Sequence, residues 1–297
     1  MQLRATPRDV WVARRQGQSL DWAQLTHLHP QAEDLEIGQV ETLHWKGADD
    51  WDVQGLFIQP ADGTDGVPHP LVTVVHGGPT FLWSQQYFAS RGWLQLLAAA
   101  GFAVLLPNPR GSTGRGLAFA ESNVGDMGGK DWVDIQNGID HCIGQRLADP
   151  DRLGIAGWSY GGFMAAWAVT QTDRFKAAVA GAPITDWRSF HGSSPLHSWD
   201  RIHLGQADPW EPGGVYQRFS PITHVRRVTT PTLLLHSEKD DVVPIEQSYL
   251  FNRALQDLGV ETELAIYPGA AHDPKDRKHQ RDHAQRICAW FEEHLTA

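Results

Sequence analysis

Gly157-Trp158-Ser159-Tyr160-Gly161-Gly162 decides the reading of this chain. A serine with glycine two residues away on either side reads as a nucleophile elbow, a sharp turn between a buried strand and a helix. The flanking residues suit that context. Asp151-Arg-Leu-Gly-Ile-Ala156 is a short apolar run fit for a buried parallel strand, and Phe163-Met-Ala-Ala-Trp-Ala-Val-Thr170 is an alanine-rich helical stretch. Side chains at 157 and 161 would collide inside so tight a turn. Ser159 itself is expected in a strained conformation that lifts its hydroxyl clear of the sheet.

Working outward, Thr232-Leu-Leu-Leu-His236 reads as another buried strand, running into Ser237-Glu-Lys-Asp-Asp-Val-Val-Pro244. That puts acids just past a strand's carboxyl end, where open α/β sheets gather their active sites. Glu263-Leu-Ala-Ile-Tyr267 makes the next strand, followed by Pro268-Gly-Ala-Ala-His272. The order Ser159, an acid, His272 is that of the α/β-hydrolase triad, in which the histidine shuttles the serine proton and the acid fixes its tautomer. Asp240 is preferred over Asp241 and Glu238 on the family motif described next. His279, His283 and His294 compete with His272, but fall in a charged C-terminal helix and read as surface residues. Leu71-Val-Thr-Val-Val-His76 is a strand ending in Gly77-Gly78-Pro79, a turn whose N–H can approach a developing negative charge with no Cβ in the way. The backbone N–H groups of Gly78 and Tyr160 are assigned as oxyanion donors.

Together, His76-Gly-Gly-Pro79, Asn108-Pro-Arg-Gly-Ser-Thr-Gly114, Gly125-Asp-Met-Gly-Gly-Lys130, the elbow, Gly181-Ala-Pro-Ile-Thr-Asp186, Ser220-Pro-Ile-Thr223 and Val243-Pro-Ile-Glu-Gln247 carry a family likeness. From about Val40 onward the chain resembles the catalytic domain of the prolyl oligopeptidase family of serine peptidases, nearest its acylaminoacyl-peptidase and dipeptidyl-aminopeptidase branch. The resemblance implies an α/β-hydrolase fold, Ser159, Asp240 and His272 as triad, and Gly78 as second oxyanion donor. Where prolyl oligopeptidases proper use a tyrosine at the start of the oxyanion loop, this chain has His76. It departs from the branch in two ways. Val242 stands where an arginine often holds the substrate backbone, and a chain of 297 residues has no room for the usual β-propeller.

Asp9-Val-Trp-Val-Ala-Arg14 and Trp22-Ala-Gln-Leu-Thr26 about the turn Gln16-Gly-Gln18 resemble a hairpin, followed by a polar connector containing Pro30. This looks like the tail of a last propeller blade. Residues 1–38 are therefore read as a hairpin and linker, and 39–297 as the hydrolase domain. An isolated hairpin is marginal in water, so Trp11 and Trp22 are expected to cover the body of the protein or to meet another chain, which allows a homo-oligomer.

The domain is expected to be a mostly parallel eight-stranded sheet with helices on both faces. Strands are placed near 40–46, 53–59, 71–76, 103–107, 152–156, 177–181, 232–236 and 262–267, and helices near 84–100, 130–147, 159–171, 246–258 and 276–295. Asp149-Pro150 reads as a stop before the fifth of these strands. Residues 183–228 read as cap elements, in which Trp187 and Phe190, with Phe163 after the elbow, are candidates for a substrate pocket. Asp126, Lys130 and Arg110 read as structural.

A formal net charge of −10 argues against nucleic acid as a partner. Arg4, Arg8 and Asp9 interrupt any leader-like apolar run, and no segment reads as a membrane span, so a cytoplasmic protein is expected. The two cysteines, Cys142 and Cys288, fall on helices of opposite faces and are not expected to pair. Fifteen histidines show no metal-ligand spacing, and neither metal nor cofactor is expected. The expected chemistry is acyl transfer on short or N-acylated peptides. A carboxylesterase is the alternative, and a non-catalytic binding protein on the same fold is a third reading.

Overall fold

The computed structural model describes residues 9–30, 35, 37–61, 63, 66–84 and 93–296. The leader reading at residues 1–8 lies outside them, as do residues 31–34 of the connector and residues 85–92 of the first expected helix.

At the N-terminus, β1 (Trp11–Gln16) and β2 (Ser19–Gln24) form a separate antiparallel two-stranded sheet. Gln16 pairs with Ser19 across a two-residue turn in which Gly17 takes φ +65°, a conformation glycine adopts without penalty. Both Asp9 carboxylate oxygens receive donors from the far end of the hairpin, Gln24 Nε2 at 2.9 Å and the Thr26 hydroxyl. Trp22 is exposed and Trp11 is half-buried, and Leu20, Leu25 and Leu28 also face solvent.

The rest of the described chain builds one eight-stranded sheet. Its strands are β3 (Val40–Lys46), β4 (Asp52–Ile58), β5 (His69–Val75), β6 (Ala103–Asn108), β7 (Ala148–Trp158), β8 (Phe175–Gly181), β9 (Thr232–Ser237) and β10 (Thr262–Tyr267). The spatial order is β10-β9-β8-β7-β5-β6-β4-β3, parallel except where β4 pairs antiparallel with β3 and β6. The sequence places all eight strands correctly. The largest boundary difference is at β7, which runs back through Asp149 and Pro150, residues that read as a stop. A register shift against β5, between His69 and Leu71, leaves the ladder irregular there, where proline is tolerated.

Among the described residues the α-helices are α1 (Trp93–Ala99), α2 (Leu117–Ala120), α3 (Lys130–Gly144), α4 (Tyr160–Gln171), α5 (Trp187–Ser193), α6 (His197–His203), α7 (Val215–Arg218), α8 (Glu246–Asp257) and α9 (Arg277–Leu295). Alternate strand residues bury into two separate cores. Leu71, Leu105, Ile155, Ala178 and Leu234 pack with α3, α4 and α8; Val72, Val104, Ala156, Val179 and Leu233 pack with α1 and α9. This period of two, apolar on both faces, is why the strands read as continuous hydrophobic runs. Cys142 on α3 and Cys288 on α9 lie on opposite faces and are both free.

Loop packing is as specific as the core. Arg110, buried after β6, bonds Asp134 of α3 through Nε at 2.9 Å and the Ala48 carbonyl through Nη2 at 2.6 Å. Lys130 Nζ reaches Asp49 at 2.8 Å, and Asp126 accepts the Lys130 N–H at 2.9 Å, so all three residues act in holding loops.

Candidate active site

Between β7 and α4 the chain reverses so sharply that glycine is obligatory. A Cβ on Gly157 would fall 2.3 Å from the Gly161 carbonyl, one on Gly161 would fall 2.1 Å from the Val75 oxygen, and one on Gly162 would fall 2.0 Å from the Gly181 oxygen. Ser159, at the apex, has φ 63° and ψ −120°, which a side-chain-bearing residue holds only under strain of about 1–3 kcal/mol. The turn is fixed by the Ser159 N–H donating to Gly181 O at 2.9 Å and the Phe163 N–H donating to Ser159 O at 2.8 Å. Tyr160 opens α4, so its N–H has no carbonyl one turn back to bond.

The glycine turn after β5 lies beside this elbow, since a Cβ on Gly77 would stand 3.6 Å from Ser159 Cβ. Gly78 has φ +118°, and a Cβ there would press within 2.6 Å of the Thr80 nitrogen. His76 is buried beneath the turn, its Nε2 2.9 Å from Ser112 Oγ and its Nδ1 2.7 Å from the Gly77 carbonyl.

Two further loops meet at the carboxyl edge of β9 and β10. The Glu238 N–H donates to Tyr267 O at 3.0 Å and the Lys239 N–H to Ala270 O at 2.9 Å, which lays the loop after β9 along the loop after β10. Asp240 and His272 are thereby joined, Nδ1 to Oδ2, at 2.7 Å. The other oxygen, Oδ1, accepts the Val242 and Val243 N–H groups at 2.9 and 2.8 Å. The Asp240 side chain is 0% exposed. Burial alone would raise its pKa, but donors from His236, His272 and the Val243 backbone outweigh that and hold the carboxyl well below the usual carboxylate range. Asp241 is exposed, and Glu238 is turned outward onto the Gly269 N–H at 2.7 Å.

Trp158 connects these loops to the elbow. Its indole Nε1 donates to the His272 carbonyl at 2.9 Å, and its ring centroid lies 6.1 Å from the His272 ring and 5.0 Å from that of His283. His279, His283 and His294 are half-buried, not the surface residues expected of a charged helix. His279 and His283 pack on the Tyr267 ring at 5.4 and 5.8 Å, and His294 on that of Trp290 at 4.5 Å. The apolar stripe of α9 draws them inward.

Below the elbow, the Tyr160 hydroxyl donates to Asp131 Oδ2 at 2.5 Å, while Asp131 Oδ1 accepts the Gly128 and Trp132 N–H groups at 2.8 Å each. Full burial dominates these bonds and pushes the Asp131 carboxyl up to about 7.

The pocket candidates lie elsewhere than expected. Phe163, Trp187 and Phe190 are each 0% exposed and pack edge to face as one aromatic cluster, at 5.0 Å between Phe163 and Trp187 and 5.7 Å between Trp187 and Phe190. They seat the cap helices on α4 and offer no surface to a substrate, because large aromatics in a cap gain most by joining its core. Beside the glycine turn, Phe81 does remain exposed, and its ring lies 5.7 Å from that of His76. His236, buried behind Asp240, is the site residue that sequence reasoning missed. Among the described residues no group of His, Cys, Asp and Glu could hold a metal ion, and no helix is long and apolar enough to cross a membrane.

The sequence profile of the prolyl oligopeptidase family matches residues 86–297. An uncharacterized peptidase of Bacillus subtilis, YuxL, is 39% identical over 259 residues, covering 86% of this chain and 39% of that protein. The acylamino-acid-releasing enzyme of Arabidopsis thaliana is 32% identical over 80% of this chain and 32% of its own length. The solved acylaminoacyl peptidase of Pyrococcus horikoshii superposes with a TM-score of 0.87 at 31% identity, over 99% of this chain and 47% of that one. The chain thus spans less than half the length of these relatives. With matching profile, sequence and fold, the chain belongs to the prolyl oligopeptidase family of serine peptidases.

Proposed function

We propose that this chain is a serine hydrolase unit that cleaves short or N-acylated peptides through an acyl-enzyme, with Ser159, Asp240 and His272 as its triad. The reading rests above all on the 2.7 Å bond from His272 to the buried Asp240, which Trp158 ties to the elbow of Ser159. Ser159 Oγ attacks the carbonyl carbon as His272 Nε2 takes its proton. The N–H groups of Gly78 and Tyr160 receive the negative charge on the carbonyl oxygen. His272 then protonates the departing amine, and water, deprotonated by the same nitrogen, releases the acid. Asp240 keeps the Nδ1–H tautomer and stabilises the imidazolium in both halves. The peptide is the assigned partner, with no cofactor, nucleic acid or membrane. We place the protein in the cytoplasm, take residues 1–38 as a unit apart from the hydrolase domain, and place any contact with a second copy on the exposed face of the hairpin.

A carboxylesterase is the second reading, carried by Val242. Its carbonyl is held by Ser194 Oγ at 2.7 Å, and an apolar side chain stands where the branch often has a substrate-holding arginine. Esters have better leaving groups and need less positioning. The test is hydrolysis of an acylated amino-acid p-nitroanilide beside a short-chain p-nitrophenyl ester, with Ser159→Ala as blank. That substitution should lower turnover by roughly four to six orders of magnitude. Amide cleavage lost with Ser159 supports the peptidase, and ester cleavage alone supports the esterase. Failure of a fluorophosphonate probe to label Ser159 overturns both.

A further inference from the structure

We propose that His236 is a positioning residue for Asp240: a buried imidazole that braces the acid's loop from behind and supplies the carboxylate with a further donor. The proposal rests on the triad reading above and deepens it. His236 ends the apolar run of β9, and its side chain is 0% exposed. A polar ring so placed must be bonded on both sides or it destabilises the core. Its Nδ1 lies 2.7 Å from Ser248 Oγ of α8, and its Nε2 lies 2.9 Å from the Val243 carbonyl. That carbonyl can only accept, so Nε2 carries a hydrogen. The same Nε2 stands 3.5 Å from Asp240 Oδ2, the oxygen that holds His272.

The ring therefore does two things at once. It fixes Val243, whose own N–H is bonded to Asp240 Oδ1, and it offers part of its Nε2–H to Oδ2. His272, at 2.7 Å, and His236, at 3.5 Å, share one carboxylate oxygen. Of the other charged groups in this loop, Glu238, Lys239 and Asp241 are exposed, and Glu238 is engaged with Gly269. Beyond His272, His283 lies across the Trp158 ring. The charge on Asp240 is thus divided between two imidazoles and two backbone N–H groups. Removing the His236 donor leaves the carboxylate less compensated, so that it holds a proton on His272 more tightly. The acid limb of kcat/KM, which reports His272, then moves to higher pH.

The experiment compares wild type, His236→Leu, His236→Gln and Ser248→Ala on the p-nitrophenyl ester from pH 5 to 9, with circular dichroism to normalise for folded protein. For His236→Leu, kcat should fall about 10-fold per folded molecule with KM within about twofold, as expected for a lost bond to a charged group. The acid limb should rise by about half a unit. His236→Gln can still present an N–H, and it should recover most of both. Ser248→Ala loosens the ring without removing its N–H and should shift both in the same direction by less, which keeps the test alive if the leucine variant does not fold. An acid limb fixed in all three variants, with any loss explained by the folded fraction, overturns the proposal while leaving the triad intact. A wild type that neither labels with fluorophosphonate nor turns over overturns the triad reading itself.

Discussion

Replacing Asp240 by asparagine tests the assignment of the acid most directly, because the structure fixes what the new amide would meet. Asp240 faces donors only. The Val242 and Val243 N–H groups point at Oδ1 from 2.9 and 2.8 Å, and His272 Nδ1 lies 2.7 Å from Oδ2. An asparagine oxygen can satisfy one of these sides. If it keeps the backbone pair, its NH2 confronts the Nδ1–H of His272, and the cheapest relief is for the imidazole to move its hydrogen to Nε2. That tautomer cannot accept the serine proton. The wrong-tautomer effect is worth roughly 10⁴ in kcat, or about 5.5 kcal/mol at about 1.4 kcal/mol per decade.

Asp241→Asn provides the control, since Asp241 is exposed one residue away. Its loss should stay within about threefold, the ordinary range of a surface change. The assay is initial-rate ester hydrolysis on both variants, with fluorophosphonate labelling and thermal melts alongside. The melts carry a sign of their own. A carboxyl whose folded pKa is depressed adds stability that is full above its unfolded value of about 3.9 and is lost as pH falls through the folded value. The gap in Tm between wild type and Asp240→Asn should therefore be widest near neutrality and close below about pH 4. Equal kinetic losses at 240 and 241, or a loss under 10-fold at 240, would refute the assignment.

Three further changes probe the neighbouring parts. Gly161→Ala brings a Cβ to 2.1 Å from the Val75 oxygen, between two backbones that cannot retreat, and should abolish soluble expression at 30 °C as read by the yield of monodisperse protein. Trp158→Phe leaves a smaller aromatic ring in place but removes the indole donor to the His272 carbonyl; kcat should fall about 10-fold with Tm lowered by only a few degrees, and an unchanged kcat would dismiss this tie. Asp131→Asn addresses the carboxyl that burial holds at about 7. An acid with a raised folded pKa costs stability progressively as pH climbs from its unfolded value of about 3.9 toward 7, so the asparagine variant should gain in Tm relative to wild type between pH 5 and 8. A gap that does not widen over that range shows the carboxyl ionised throughout.

The elbow, the eight strands and the two acid- and histidine-bearing loops were legible because each is written in short-range code: apolar runs of strand length, ended by glycine or proline where the chain must turn. What was not legible depends on facing. Trp187 and Phe190 announce an aromatic cap, but nothing in their spacing says that they pack inward, with Trp187 on Phe163 of α4, and not toward a substrate. The histidines of α9 sit among charges, yet the stripe Ile287, Trp290, Phe291 and Leu295 turns the helix so that they end half-buried. The limit of β7 was missed because proline reads as a stop, and only the register against β5 shows that the ladder is already irregular there. His236 did leave a signal. A histidine closing three leucines, four residues before the acid, is a polar group in a buried run, and such a group requires partners on both sides.

Those partners show how the cap and the acid come to share one anchor. Gln247 and Ser248 are adjacent and fully buried in the first turn of α8. Gln247 Oε1 accepts the N–H groups of Thr185 and Asp186 at 2.9 Å each, which fixes the chain entering α5. Ser248 holds His236, and through it the loop of Asp240. The cap closes back on that loop from the other side, where Ser194 Oγ donates to the Val242 carbonyl at 2.7 Å. Within the cap, Asp200 Oδ2 joins three helices, lying 2.8 Å from His191 Nδ1 and 3.0 Å from the Tyr216 hydroxyl. A cap tied this way cannot shift over the site without disturbing the residues that flank Asp240. Its buried aromatic cluster therefore belongs to the scaffold of the acid.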